Sequence, residues 1–147
     1  RAVSLNPLDA ATAAFMGLLI GYSGDWPRGC ELAERGLKLN PNLPGMYNYT
    51  AWHDSYRRKD YRRALDLALK LDTPDNFYQH AVLAMCYAQL GEMDAAQKSL
   101  KETLSLKPDY GKVARQLHGK WILPELVEQL MEGLRKAGLE VAPRGSM

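Results

Sequence analysis

Leu5-Asn6-Pro7 returns as Leu39-Asn40-Pro41, and Leu106-Lys107-Pro108 repeats the triplet once more with a single change. The first two prolines, Pro7 and Pro41, stand 34 positions apart, and each triplet follows a stretch with helical apolar spacing. Proline has no backbone N–H, and its ring clashes with the carbonyl one turn back, so each triplet marks where a helix stops. A recurrence at this period constrains the fold more than any single motif does. It asks for one supersecondary unit stacked on copies of itself.

A second mark recurs inside the units. Gly24-Asp25-Trp26, Lys59-Asp60-Tyr61 and Gly91-Glu92-Met93 each join a turn position, an acidic residue and a bulky one. Pro41 lies 17 residues after Gly24, and Pro108 lies 17 after Gly91. The spacing predicts helix hairpins. The turn residue ends one helix, the acidic side chain caps the exposed N–H groups of the next, and the bulky side chain packs back across the turn.

These residues resemble the tetratricopeptide repeat, a unit of helix, turn and helix. The first unit matches through Gly17, Gly24, Gly29, Leu37 and Pro41, and the third through Leu83, Ala84, Tyr87, Gly91, Ala96, Leu104 and Pro108. Small residues are expected at Gly17, Ala84, Gly29 and Ala96 because paired helices cross closely there. The middle unit departs from the pattern. Trp52 falls where its neighbours carry Gly17 and Ala84, and Lys59 replaces the turn glycine. A wider crossing around Trp52 is expected, with a second helix about half a turn shorter that stops near Leu71-Asp72, and Thr73-Pro74-Asp75 opening the next helix.

After Pro108, Tyr110 to Leu117 suggests another helix, interrupted by Gly119 and Pro124. Leu123, Val127, Leu130, Met131 and Leu134 then recur at helical spacing, with Glu128, Glu132 and Lys136 on another face. Such a helix suits the polar-faced cap that a repeat stack requires. The expected architecture is therefore all-α: an α–α superhelix of about three helix hairpins with a C-terminal capping helix. The array takes residues 1–141, with 1–7 the end of a preceding helix, repeats at 8–41, 44–75 and 76–108, and a cap at 109–138. Residues 142–147 read as a disordered tail or an appended remnant.

The span from about Asn6 to Leu139 also resembles the C-terminal repeat region of bacterial multidomain signalling proteins of the class III nucleotide cyclase or winged-helix regulator type. The resemblance rests on Gly24-Asp25-Trp26, Leu39-Asn40-Pro41-Asn42, Tyr56-Arg57-Arg58, Asp60-Tyr61, the run from His80 to Leu83, the run from Ala88 to Gly91 and, above all, the run from Glu132 to Leu139. It implies a cytoplasmic regulatory module whose parent carries the enzyme, since none of the cyclase's catalytic residues is present.

The resemblance further implies that the first helix of each hairpin lines a concave groove. Independently, Met46, Tyr49, His53, Tyr56 and Arg57 are spaced three or four apart and share one helix face. Tyr22 before them, and Tyr78, Met85 and Gln89 after them, are the matching positions, as is Leu18. Tyrosine offers broad contact area with one polar tip and methionine adapts its shape, so the strip suits an extended or helical apolar peptide. The same residues could instead contact a neighbouring hairpin or the parent's N-terminal domain. Tyr49, His53 and Tyr56 are the leading contact residues. The lysine and asparagine of the family's carboxylate clamp are missing, with Ala14 and Leu18 in their neighbourhood.

Other classes have less support. A net charge of +2, with 46% apolar and 24% charged residues, describes a folded chain without a strong pull toward nucleic acid or anionic membrane. The basic run Arg57-Arg58-Lys59-Asp60-Tyr61-Arg62-Arg63 crosses a predicted turn, so its charges should splay into solvent. His53, His80 and His118 lie in separate units without ligands at metal spacing, and no phosphate loop follows a strand; no cofactor is expected. Cys30 and Cys86 read as buried thiols in a reducing compartment. The apolar stretch from Ala10 to Tyr22 is too short to span a bilayer, yet a helix apolar on all sides must be covered, which leaves homodimerisation as a second possibility.

Overall fold

The computed structural model describes residues 7–144, with side chains from residue 9. Among these residues it contains eight α-helices and no strand. They are α1 (Pro7–Tyr22), α2 (Trp26–Leu39), α3 (Tyr49–Arg57), α4 (Tyr61–Ala68), α5 (Phe77–Gln89), α6 (Met93–Leu106), α7 (Tyr110–Gly119) and α8 (Pro124–Ala137), with a 3-10 turn at Gly45–Asn48 before α3. The predicted end of a preceding helix lies outside the described residues, apart from Pro7, which opens α1.

The hairpins form where the sequence marks them. Gly24 and Gly91 close their turns with φ of 111° and 80°, a region that costs glycine nothing. Lys59 takes the same place in the middle hairpin at φ 64°. Asp25 and Asp60 accept hydrogen bonds from the backbone N–H groups of Arg28 and Arg63 and so cap α2 and α4. Glu92 makes no such bond at the start of α6.

α1 and α2 pack the closest of all the helix pairs. A Cβ placed on Gly17 would lie 2.5 Å from both the Ala33 nitrogen and the Gly29 carbonyl oxygen. One on Gly36 would lie 2.5 Å from the Ala10 carbonyl oxygen. Ala84 and Ala96 are fully buried where α5 crosses α6. In the middle hairpin the Trp52 indole is fully buried and stacks on Tyr56 with ring centroids 5.1 Å apart.

Two boundaries differ from expectation. α4 stops at Ala68, with eight residues against 14 in α2, rather than near Leu71-Asp72. The chain leaves the helix through a tightened turn in which Leu71 donates to the Ala68 carbonyl oxygen at 3.2 Å; the Gln79 amide donates to the same oxygen at 3.5 Å, and the Gln79 oxygen accepts from the Thr73 N–H. The next helix is opened by Asn76, whose side chain accepts from the Tyr78 N–H at 2.9 Å, instead of by Thr73-Pro74-Asp75. Residue 142, read as the start of a tail, is held against α7. Ala142 donates to the Gly111 carbonyl oxygen at 3.1 Å, and the Arg115 guanidinium donates to the Ala142 carbonyl.

α7 packs its Tyr110 against Phe77 of α5, and α8 then folds back across α3 and α5. α8 buries Leu126, Val127, Leu130, Met131, Leu134 and Ala137 and exposes Glu125, Glu132, Arg135 and Lys136. Burial of each large side chain on this face contributes roughly 2 kcal/mol. Arg115 and Glu128 clamp α7 to α8 through a pair of 2.8 and 3.2 Å contacts.

Candidate functional site: an apolar cleft beside the capping helix

α1, α3 and α5 present one face to the same side, and α8 covers only part of it. The covered part is the C-terminal half of α3 and α5. The Tyr56 hydroxyl donates to the Gln129 carbonyl oxygen at 3.4 Å, and Gln129 returns a bond to the Arg57 carbonyl at 3.4 Å. The Gln89 amide donates to the Tyr56 hydroxyl at 3.1 Å and accepts from Lys136 at 2.8 Å. Gly133 lets α8 approach: a Cβ there would collide with the Tyr56 hydroxyl and sit 3.3 Å from the Met85 Cβ.

One turn earlier on α3 and α5 the same face is open. A cleft of about 330 Å³ lies there. α1 contributes Phe15, Leu18, Leu19 and Tyr22; Met46, Tyr49 and His53 come from the 3-10 turn and α3. Tyr78 and Val82 of α5, His118 of α7, and Trp121 and Ile122 of the α7–α8 connector complete it. Phe15, Leu19, Met46 and Trp121 stand exposed at its rim, at 48%, 41%, 44% and 61%.

The candidate residues from the sequence therefore divide. Tyr22, Met46, Tyr49, His53 and Tyr78 meet at the cleft. Tyr56 and Met85 are fully buried under α8 and belong to the core, so neither offers a contact surface in this conformation. Gln89 is held between Tyr56 and Lys136. Arg57 pairs with Asp54 at 2.8 Å and lies over the Trp26 ring at 5.6 Å. The periodicity of α3 groups Tyr49, His53 and Tyr56 on one side, but it carries no information about which turn another helix covers. Phe15, Leu19, Val82, His118, Trp121 and Ile122 were not named as contact residues. The signal for two of them was the bulky apolar run Trp121-Ile122-Leu123 placed between Gly119 and Pro124, where a solvated connector would be polar.

The side chains of Tyr22, His53 and His118 are engaged in hydrogen bonds within the protein. His53 is ringed by Tyr22, Trp26, Tyr49 and Trp52, with centroids 5.0–6.3 Å away. Its Nδ1 lies 2.9 Å from the Tyr49 carbonyl oxygen, which can only accept, so Nδ1 carries the proton. The Tyr22 hydroxyl oxygen lies 3.3 Å from the same nitrogen. Burial lowers the His53 pKa to about 4 against a weaker opposing effect of that backbone bond, and lowers that of His118 to about 3. His118 Nε2 shares a 2.7 Å hydrogen bond with the Tyr110 hydroxyl. Both rings are neutral at pH 7, so the cleft wall is uncharged. Burial likewise raises the phenols of Tyr22 and Tyr49 well above their ordinary range.

This arrangement holds apolar surface rather than reacting atoms. Neither histidine of the cleft is hydrogen-bonded to a carboxylate or thiol that could orient it as a base. Burial pushes the Cys30 and Cys86 thiols up to about 11 and about 12, away from the thiolate form that reacts. Among the described residues no three His, Cys, Asp or Glu side chains gather as a metal site, and no helix is long and apolar enough to cross a membrane.

No family model matches the chain. It is 26% identical over 124 residues to anaphase-promoting complex subunit 3 of Dictyostelium discoideum, an alignment that takes in 82% of this chain and 13% of that protein. The chain thus spans a small fraction of that relative's length. Among solved structures it is similar to the MamA RS-1 ArsTM double mutant, with a TM-score of 0.62 at 17% identity, over 90% of this chain and 75% of the other. With the hairpins above, these likenesses support a helical repeat of the tetratricopeptide type.

Proposed function

We propose that the chain is a non-catalytic protein-interaction scaffold that receives a protein segment in the apolar cleft between α1, α3, α5 and the α7–α8 connector. The carrying observation is the cleft: about 330 Å³ within a rim of exposed Phe15, Leu19, Met46 and Trp121. Exposed apolar groups gathered around a hollow are a costly surface unless something covers them. Peptide libraries of unrestricted shape, selected on the immobilised chain, test the reading. Selected peptides should lose at least tenfold in affinity, or about 1.4 kcal/mol, against Met46→Glu and Trp121→Glu chains. Undiminished binding to both variants would move the interaction away from the cleft. Tyr56→Ala is the wrong probe, because it opens a cavity in the core.

The finer reading is that this scaffold is the regulatory C-terminal region of a bacterial cytoplasmic signalling protein such as a nucleotide cyclase, with the parent's own N-terminal domain as one candidate partner. The resemblance of the run from Glu132 to Leu139 supports it, and the role of Gly133 beneath Tyr56 gives that run a physical reason. The parent gene decides the matter: neither a cyclase nor a winged-helix domain ahead of this region would sink it. A second reading, homodimerisation, is favoured by Phe15, Met16 and Leu19, exposed on α1 at 48%, 45% and 41%. Sedimentation at rising concentration separates the two, since a strict monomer leaves only the heterologous partner.

A further inference from the structure

The covered and open parts of the groove are one surface. His53 and Tyr56 lie one turn apart on α3, and Val82 and Met85 one turn apart on α5; the first of each pair lines the cleft and the second lies beneath α8. The molecule therefore already shows what this face accepts. Its occupant is an amphipathic helix: α8 lays Gln129 and Gly133 on Tyr56, buries Leu126, Val127, Leu130, Met131 and Leu134, and leaves Glu125, Glu132, Arg135 and Lys136 exposed. Gly133 at the closest approach shows that the face admits a helix backbone, not only side-chain tips.

We infer that the open cleft is the seat for a second amphipathic helix, contributed by a partner protein and lodged beside α8 on the same faces of α3 and α5. The inference rests on the scaffold reading above and narrows its partner to one shape and one polarity. The side chains it inserts are large and uncharged. Any ammonium or carboxylate entering the cleft meets only Tyr22, Tyr49, His53, Tyr78 and His118 as polar neighbours, and the last four offer no opposite charge and Tyr22 none either at neutral pH. Tyr22, His53 and His118 already spend hydrogen bonds inside the protein, and no lining group carries a charge, so the intruding charge would be desolvated without a counter-charge. The exposed rim residues Met46 and Trp121 flank the entry, where a helix would cover them.

Two displayed libraries distinguish this from the broader reading. One randomises the face of a stable helix; the other is linear, with proline at alternate positions so that no helix forms. Each is selected on the full chain, and enriched clones are titrated by fluorescence anisotropy against the native, Met46→Glu and Trp121→Glu chains. The expected result is enrichment of the helical library, large apolar residues at i, i+3 or i+4 and i+7, and at least a tenfold loss on either variant. Enrichment of the proline-bearing library alone, with the same loss on the variants, overturns the helix and leaves the scaffold reading standing. Enriched helices with charged residues on the randomised face overturn the polarity argument. A native chain that dimerises, and is made monomeric by Met46→Glu, assigns the cleft to a second copy and overturns the partner helix. Enrichment from neither library defeats both readings together.

Discussion

Lys59 sits at φ 64°, in the left-handed region where Gly24 and Gly91 close the other two hairpin turns. A side chain there presses its Cβ toward the neighbouring carbonyl, whereas glycine adopts the region freely at some cost in unfolded-state entropy. Lys59→Gly is expected to stabilise the chain by about 0.5–1 kcal/mol, seen as a rise of a few degrees in thermal midpoint. An unchanged or lowered midpoint would mean that Lys59 gains something from its side chain that the turn geometry does not show. The opposite sign is expected at Gly17, where an added Cβ meets the α2 backbone at 2.5 Å. Gly17→Ala should cost about 3 kcal/mol in denaturant unfolding, because backbone cannot retreat as a side chain can. Gly119→Ala supplies the contrast: nothing lies within 4 Å of its Cβ position, and it is helical, so a gain of about 0.5 kcal/mol is expected. The need for small residues at Gly17 and Gly29 was legible in the repeat. The tight contact of Gly133 on Tyr56 was not, since a lone glycine inside a helix has no local signature of what it faces.

Among the elements, α8 carries the least expected result. Its apolar stripe and its role as a polar-faced cap were readable from Val127, Leu130, Met131 and Leu134, but its position over α3 and α5 was not. Gly133→Val should unseat it by driving a branched side chain into Tyr56 and Met85. Hydrogen exchange is expected to accelerate across Pro124–Ala137 by at least tenfold while α1 and α2 keep their protection, and the cleft should widen toward Tyr56. Uniform acceleration throughout the chain would show instead that α8 and the hairpins open as one unit. α4 teaches a similar lesson on a smaller scale. The 32-residue spacing from Lys59 to Gly91 indicated a second helix about half a turn shorter, whereas α4 has eight residues against 14 in α2. At its end the Ala68 carbonyl accepts from the Leu71 N–H at 3.2 Å and also from the Gln79 amide, eleven positions away, at 3.5 Å.

For the whole molecule the two cleft histidines predict a particular acid response. Burial holds His53 and His118 neutral, at about 4 and about 3, below the ordinary histidine value of 6.5. As pH falls from 6.5 toward 4, the unfolded chain takes up these protons and the folded chain does not. Stability is therefore fully present above pH 6.5 and declines below it, by about 1.4 kcal/mol per pH unit for each histidine. A denaturant midpoint followed from pH 7 to pH 4 should fall steeply, and the His53→Gln/His118→Gln chain should show a shallower slope over the same interval. Parallel slopes would place the acid sensitivity in other groups. Taken as a whole, the hairpin turns and the close crossing of α1 on α2 were settled by the sequence, because each depends on residues within one hairpin: Pro41 and Pro108 stop helices wherever they occur, and Gly17 permits close approach to the helix that follows. Which part of the shared face remains open was decided only by tertiary structure. Tyr49 and Tyr56 occupy the same stripe of α3, and nothing near them distinguishes a tyrosine at the cleft from a tyrosine in the core. The distinction comes from Gln129 and Gly133, more than seventy positions further on, and from a connector that lays α8 over one turn of the groove and leaves the next uncovered.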